Sequence, residues 1–133
     1  MWLLDTVALS ETTKPRANRG FLAWIDTVPD HHIHTSVLCL GEIRRGVEML
    51  AAGDKRQALT LWLERDLTEW LGLRVLPVTS GVAQTWGRLG ARGSVSPIDA
   101  LIGATAVAAG LTVVTRNVRD FDGLGAPVMN PWS

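Results

Sequence analysis

A three-layer α/β/α fold with a mainly parallel central sheet, covered by helices on both faces, is the architecture this sequence predicts. Two observations lead there. Short apolar runs that end in a polar residue recur along the chain, and segments with the 3.6-residue spacing of a helix separate them. No internal repeat, low-complexity tract or linker breaks the alternation, so all 133 residues are read as one domain, 1–133. A chain of this length can bury roughly two-thirds of its unfolded surface in one core.

The elements follow in order. Met1 to Leu4 form a buried strand that stops at Asp5, and a turn around Lys14-Pro15 leads into a helix carrying Phe21, Leu22, Trp24 and Ile25. That helix ends before Pro29, because a proline drives the preceding residue out of the α region. His31 to Ser36 make a second strand, followed by a helix from about Val37 to Ala52 that Gly53 terminates. Asp54 with Gln57 fits a capping box for a third helix with the apolar face Leu59, Trp62, Leu63, Leu67 and Trp70. Leu73 to Val78 are a third strand, Ser80 to Ala91 a fourth helix, Gly93-Ser94 a loop, and Pro97 to Ala109 a fifth helix. Leu111 to Thr115 read as strand four, and Val128 with Met129 as a short last strand.

Composition removes several function classes. The chain has 13 basic and 13 acidic residues and a formal charge of zero, so no global basic field draws it onto nucleic acid. Eleven of the basic residues are Arg, whose planar fork suits phosphate, against Lys14 and Lys55 alone. A single cysteine, Cys39, rules out an internal disulfide framework and a multi-cysteine zinc site, and is assigned to core packing. Apolar stretches are broken well before the roughly 20 residues of a membrane span, and MWLLDT lacks the basic start of a signal peptide. A cytoplasmic protein with no membrane partner is expected.

Three acids stand where a purely structural chain rarely puts them. Asp5 ends a buried strand, and an ionised carboxylate there needs hydrogen bonds, a cation or a proton. Glu42 falls inside the helical arc of Leu38, Cys39, Ile43, Gly46, Val47, Met49 and Leu50, while Arg44, Arg45 and Glu48 lie opposite. Asp99 sits in Ser96-Pro97-Ile98-Asp99, which also reads as an ordinary helix start with Asp closing a capping box. Below it Gly103, Ala106 and Gly110 form a small-residue face that something approaches closely. Two such carboxylates at about 4 Å repel by about 4 kcal/mol at an effective dielectric near 20, so a converged cluster takes up a proton or a cation. Oxygen-only ligands without cysteine suit Mg²⁺ or Mn²⁺, ions that activate water and neutralise charge in phosphodiester hydrolysis.

These residues carry a resemblance. LLDT at 3–6, SVLCLGEIRRGVEML at 36–50, SPIDALIGATA at 96–106, VTRNVRDF at 114–121 and NPW at 130–132 resemble PIN-domain ribonucleases, above all VapC-type toxins of toxin–antitoxin pairs and their FitB-like branch. The resemblance implies a PIN-like fold, an endoribonuclease dependent on Mg²⁺ or Mn²⁺, an RNA substrate, a homodimer or toxin–antitoxin hetero-oligomer, and a cognate antitoxin whose tail covers the acidic pocket. By the same resemblance Asp5, Glu42 and Asp99 are catalytic acids, and Thr6 supports the first carboxylate. The family often has Asn next, where this chain has Val7. The fourth position falls to Asp120 or Asn117: some relatives have Asp where Asn117 stands and others have an Asp three residues later, as here, and Asp120 is taken as the fourth acid with Asn117 as the alternative that supplies an amide oxygen or orients water. Asp5, Asp99 and Asp120 are then the metal ligands, Asn117 a neutral neighbour, Arg116 and Arg119 holders of RNA phosphate, and Asp122 a solvated turn residue.

Three other readings are weighed against this one. A catalytically weak or inactive domain that only binds its antitoxin has the same motifs. Aspartyl-phosphate phosphatases want a second Asp two residues after the first, where Val7 stands. His32 and His34, on one strand face with His31 on the other, are read as surface or partner-facing histidines rather than a zinc or nickel site. Trp62 and Trp70 are exposed candidates for a dimer or antitoxin surface.

Overall fold

The computed structural model describes residues 1–91 and 96–133, so the predicted Gly93-Ser94 loop lies outside the described residues. The strands β1 (Trp2–Leu4), β2 (Ile33–Ser36), β3 (Val75–Leu76), β4 (Thr112–Val114) and β5 (Val128–Met129) pair in parallel in the order β3-β2-β1-β4-β5. Leu3 lies opposite His34 on one side and Val113 on the other. Leu3, Leu4, Val113 and Val114 are fully buried, as the central strands of a sheet covered on both faces must be.

Helices α1 (Thr6–Glu11), α2 (Arg19–Asp26), α3 (Val37–Glu48), α4 (Asp54–Leu61) and α5 (Thr68–Leu71) lie between β1 and β3; α6 (Ser80–Gly90) and α7 (Pro97–Ala109) return the chain to β4. Right-handed crossovers that run outward and then back put these two groups on opposite faces of the sheet. The groups meet where α3 touches α7. Strand order reverses at β1, with β2 on one flank and β4 on the other, so the crevice at the carboxyl ends of β1 and β4 is where an open α/β sheet binds its ligand.

Several expectations are corrected. Between Asp5 and the Lys14-Pro15 turn, where the sequence predicts no element, the chain forms a helix, α1, because the Asp5 carboxylate accepts the Ala8 amide at 2.8 Å and caps it. Helix α3 ends at Glu48, four residues early, and Met49 is 77% exposed, outside the apolar arc. Gly53 is the N-cap of α4 instead, with φ 154°, a conformation open to glycine, so Asp54 is the first helical residue and no side chain caps the helix. Its continuation passes through a π-helical stretch, Trp62–Leu67, and buries Leu63 and Leu67, while Trp62 and Trp70 are half-buried against the core rather than exposed.

The third strand shrinks to two residues, since Gly72–Arg74 forms a 3₁₀ turn with Leu73 fully exposed. Asp30–His32 is likewise a 3₁₀ turn, which removes the predicted strand alternation of the histidines: His31 and His32 pack edge to face and only His34 lies in β2, an interior strand. Helix α7 and strand β5 have the predicted limits. Cys39 is fully buried, and burial pushes its thiol up to about 11, as a packing residue requires.

Candidate active site

Four elements and one turn deliver polar groups to the crevice beside β1. A cleft of about 220 Å³ is lined by Asp5, Thr6, Val7, Glu42, Asp99, Ile102, Asn117 and Asp120. Asp5 arrives at the end of β1, held by its own amide on the Val114 carbonyl (3.2 Å) and by the side-chain cap of α1. Glu42 projects from the second turn of α3, itself started by the Ser36 hydroxyl, which accepts the Leu38 amide at 3.1 Å. Asp99 stands in the first turn of α7, after Ser96 at the N-cap and Pro97 at the first helical position. Asn117 and Asp120 belong to the turn after β4: Asn117 precedes the 3₁₀ segment Val118–Phe121, and the Asp120 amide donates to the Asn117 carbonyl at 3.0 Å.

The alternative structural role of Asp99 is not realised. No side chain caps α7, so the capping box that Ser96 and Asp99 spell out is not formed. The small face of α7 has a structural cause: a Cβ on Gly103 would come within 2.9 Å of the Leu124 side chain, so another part of the chain fills that space. Gly110 ends the helix with φ 69°.

Electrostatics marks the cleft. Asp5 is 5% exposed, and burial first, then the charges of Asp99 and Glu42, push its carboxyl up to about 6 against the opposing Ala8 amide and Thr115 hydroxyl. Asp99 is held above its usual range by burial and by the charges of Asp120 and Glu42. Among the described residues none of the four acids has a salt-bridge partner. No three of them are close enough to ligate one ion as they stand. The donor set is nevertheless oxygen-only, rich in carboxylates and without a salt-bridging cation from the described residues of the protein, which is the chemistry a hard divalent ion takes.

Two supporting hydroxyls differ from expectation. The Thr6 hydroxyl donates to Glu42 Oε1 at 2.6 Å, so it holds the helix glutamate rather than Asp5. The hydroxyl beside Asp5 is that of Thr115, a buried residue at the end of β4 whose oxygen also accepts the Asn117 amide at 2.9 Å. Thr115 was not singled out from the sequence; its signal was its place between the apolar run of strand four and Arg116. Arg116 and Arg119 line an adjoining pocket with Asn117 and Asp120 rather than the cleft itself. Asp122 is exposed and outside both.

The PIN domain family profile matches residues 2–126. The chain belongs to the PIN domain family. The VapC ribonuclease Y4jK of Sinorhizobium fredii is 34% identical, over 99% of this chain and 98% of its own length. Toxin FitB of Neisseria gonorrhoeae is 31% identical over 99% of both chains. In three dimensions this PIN domain superposes with a TM-score of 0.93 and 31% identity on a chain of the crystal structure of FitAcB from Neisseria gonorrhoeae, covering 99% of each. A chain of FitAB bound to the IR36 DNA fragment gives 0.92 at 30% identity, over 100% of this PIN domain and 96% of that chain.

Proposed function

We propose that this PIN domain is the toxin of a toxin–antitoxin pair, an endoribonuclease that depends on Mg²⁺ or Mn²⁺ and acts in the cytoplasm. Full-length relatives named as a VapC ribonuclease and as toxin FitB support the nuclease and toxin assignment. The observation that carries the metal and the reaction is the meeting of Asp5, Glu42, Asp99 and Asp120 in one cleft with no protein cation among them. Asp5, Asp99 and Asp120 would hold the ion, with Asn117 as a neutral oxygen beside them. A bound divalent ion supplies Lewis acidity and lowers the pKa of water next to the scissile phosphate.

The chain's own residues do the rest. Thr6 fixes the Glu42 carboxylate, leaving its second oxygen to accept a proton or orient water. Ile102 and Val7 form the apolar wall of the cleft and limit its water. Arg116 and Arg119, next door, would take up RNA phosphate.

The antitoxin reading has its own support. An apolar groove of about 700 Å³ runs between α1, α3 and α4, lined by Ile43, Val47, Leu50, Leu59 and Trp62, and it reaches Thr6 and Glu42. A partner segment laid along it would arrive at the acidic cleft and close it. No helix among the described residues is long and apolar enough to cross a membrane.

Two variants test the proposal. Asp99→Asn is expected to abolish Mg²⁺-dependent RNA cleavage and toxicity in growing cells, since loss of a ligand exceeds the roughly 10–100-fold cost of losing a supporting group. Mn²⁺ should raise the melting temperature of the wild type and leave that of Asp5→Asn unmoved. Cleavage undiminished in both variants sinks the site assignment, and equal toxicity of wild type and Asp99→Asn leaves a domain that only binds its partner.

A further inference from the structure

Beside the acidic cleft, and sharing Asn117 and Asp120 with it, lies a second polar pocket of about 460 Å³ whose remaining walls are Arg116, Val118, Arg119 and Asn130. Its size is in the roughly 300–1,000 Å³ range of sites that hold small organic ligands. Its two arginines have no salt-bridge partner among the described residues, although Asp120 and Asp122 are their near neighbours in sequence. Arg16, Arg19, Arg45, Arg74 and Arg88 likewise have no acid partner among the described residues, so what sets Arg116 and Arg119 apart is that both line one pocket beside the acidic cleft. Unpaired guanidinium forks on one wall of a pocket suit a phosphate group.

Asn130 is the residue that makes this a shaped site. It follows β5 directly, and β5 pairs with β4 so that the Thr115 amide donates to the Met129 carbonyl at 3.1 Å; Asn130 therefore falls opposite Thr115, one residue before Arg116, and lines the pocket with it. Its Oδ1 accepts the Trp132 amide at 2.9 Å. Trp132 in turn is anchored, its ring 4.9 Å from that of Phe21 and its Nε1 donating to Glu11 at 3.4 Å. The carboxamide is thus oriented by its oxygen, and its Nδ2, with two hydrogens and no protein acceptor among the described residues, is available to the pocket.

We propose that this pocket is a nucleotide subsite for single-stranded RNA, next to the scissile phosphate, with Arg116 and Arg119 on the adjacent phosphate and Asn130 Nδ2 donating to an acceptor oxygen of the same nucleotide. The proposal rests on the nuclease reading above and deepens it: the acidic cleft does the chemistry, and the neighbouring pocket sets where along the strand it happens. Asp120, on the shared wall, keeps the bound phosphate toward the arginines by repulsion.

The test is anisotropy of a short fluorescein-labelled single-stranded RNA in EDTA, where the acidic cleft holds no metal, followed by steady-state cleavage of the same RNA in Mg²⁺. Arg116→Ala and Arg119→Ala should each weaken binding about tenfold and lower the slope of log K against log salt by about one. Asn130→Asp keeps the acceptor for the Trp132 amide while replacing the donors with charge, so it should weaken binding at an unchanged melting temperature. Asn130→Ala should weaken binding a few-fold and leave the salt slope unaltered, and in Mg²⁺ all four variants should raise KM more than they lower kcat. Wild-type affinity and salt slope in the Arg116→Ala/Arg119→Ala double variant overturn the subsite. If that happens while Asp99→Asn still loses cleavage, the nuclease reading stands alone; if RNA binding falls as expected but no metal-dependent cleavage is found, the subsite stands and the nuclease reading fails.

Discussion

Asp5 and Glu11 stand at the two ends of helix α1, 5% and 3% exposed, and the protein treats their charges in opposite ways. Asp5 has the favourable end of the helix dipole, yet its carboxyl is pushed up to about 6. Glu11 has the unfavourable end, and is held below its ordinary value. The dipole, about 0.3–1 kcal/mol at a helix terminus, therefore does not decide the outcome. Partners do. Burial pushes Glu11 up, but the Asn18 amide at 2.9 Å, the Lys14 ammonium at 3.2 Å and the Trp132 indole at 3.4 Å together outweigh it. Asp5 has the Ala8 amide and the Thr115 hydroxyl against burial and two neighbouring acids, and burial wins. One end of the helix is a completed structural joint, and the other is held short of the positive charge that would complete it.

The largest effect that separates the two ends is the sign of neutralising each. The folded-state value of Asp5 lies above the 3.8 of a free carboxyl, so this group favours the folded state in acid and that contribution is lost as pH rises toward about 6. Asp5→Asn keeps an oxygen for the Ala8 amide and removes the ionisation, so in EDTA near pH 8 it should stabilise the protein by up to about 3 kcal/mol. Near pH 4 the gain should vanish. For Glu11 the folded-state value is depressed, so its contribution is present above the unfolded value of 4.5 and lost as pH falls through the folded one. Glu11→Gln should therefore destabilise by about 1–2 kcal/mol near pH 8 and converge on wild type in acid. Urea denaturation at the two pH values reads both variants. If Asp5→Asn also destabilises at neutral pH, the contrast is wrong and Asp5 is a structural joint like Glu11.

This contrast also explains how much was legible in the sequence. Helix α7 was predicted to the residue because Ser96-Pro97 and Gly110 punctuate both ends. Helix α1 was missed because TVALSE is six residues long and opens with two β-branched residues, poor helix formers whose start signal, Asp5, doubles as a site residue. Asp5 stands out at a strand end, Glu42 on an apolar helix face and Asp99 at a helix start, while Asp120 is reached only through the resemblance; the fold brings all four to one cleft. Thr115 and Asn130 lie inside the stretches VTRNVRDF and NPW but receive no role from the sequence, because their placement depends on the pairing of β4 with β5, which is long-range and leaves no periodic trace. Neither did Glu11, whose partners Asn18 and Trp132 are 7 and 121 residues away.

The completed end can be broken from the far end of the chain. Trp132 packs on Phe21 and bonds Glu11, and the Ser133 amide and carbonyl both pair with the Asn18 side chain, while Gly20 lacks a Cβ that would fall 2.7 Å from the Pro131 carbonyl. Trp132→Ala should cost about 2 kcal/mol, less than a fully buried tryptophan because its ring is half-buried. Trp132→Phe should recover most of that loss without restoring the bond to Glu11. Thermal melts of the two variants separate ring packing from the indole hydrogen bond, and equal losses would assign the whole effect to the bond.

The smallest effect lies at the incomplete end. The Thr6 hydroxyl gives Glu42 its one short side-chain bond, at 2.6 Å, so Thr6→Val removes a charge-assisted donor while keeping the shape of the residue. Both groups are half-buried, which limits the stability change to about 1 kcal/mol. Activity should respond more, because a carboxylate released from its donor samples several rotamers, and groups that orient a metal-site ligand are worth roughly 10–100-fold. Thr6→Ser restores the hydroxyl and should restore the rate. The comparison is sharpest in a kinetic assay with saturating RNA: a fall in kcat in Thr6→Val that is absent in Thr6→Ser means that Thr6 works by holding Glu42, and rates equal in all three proteins would remove Glu42 orientation from the account of the site.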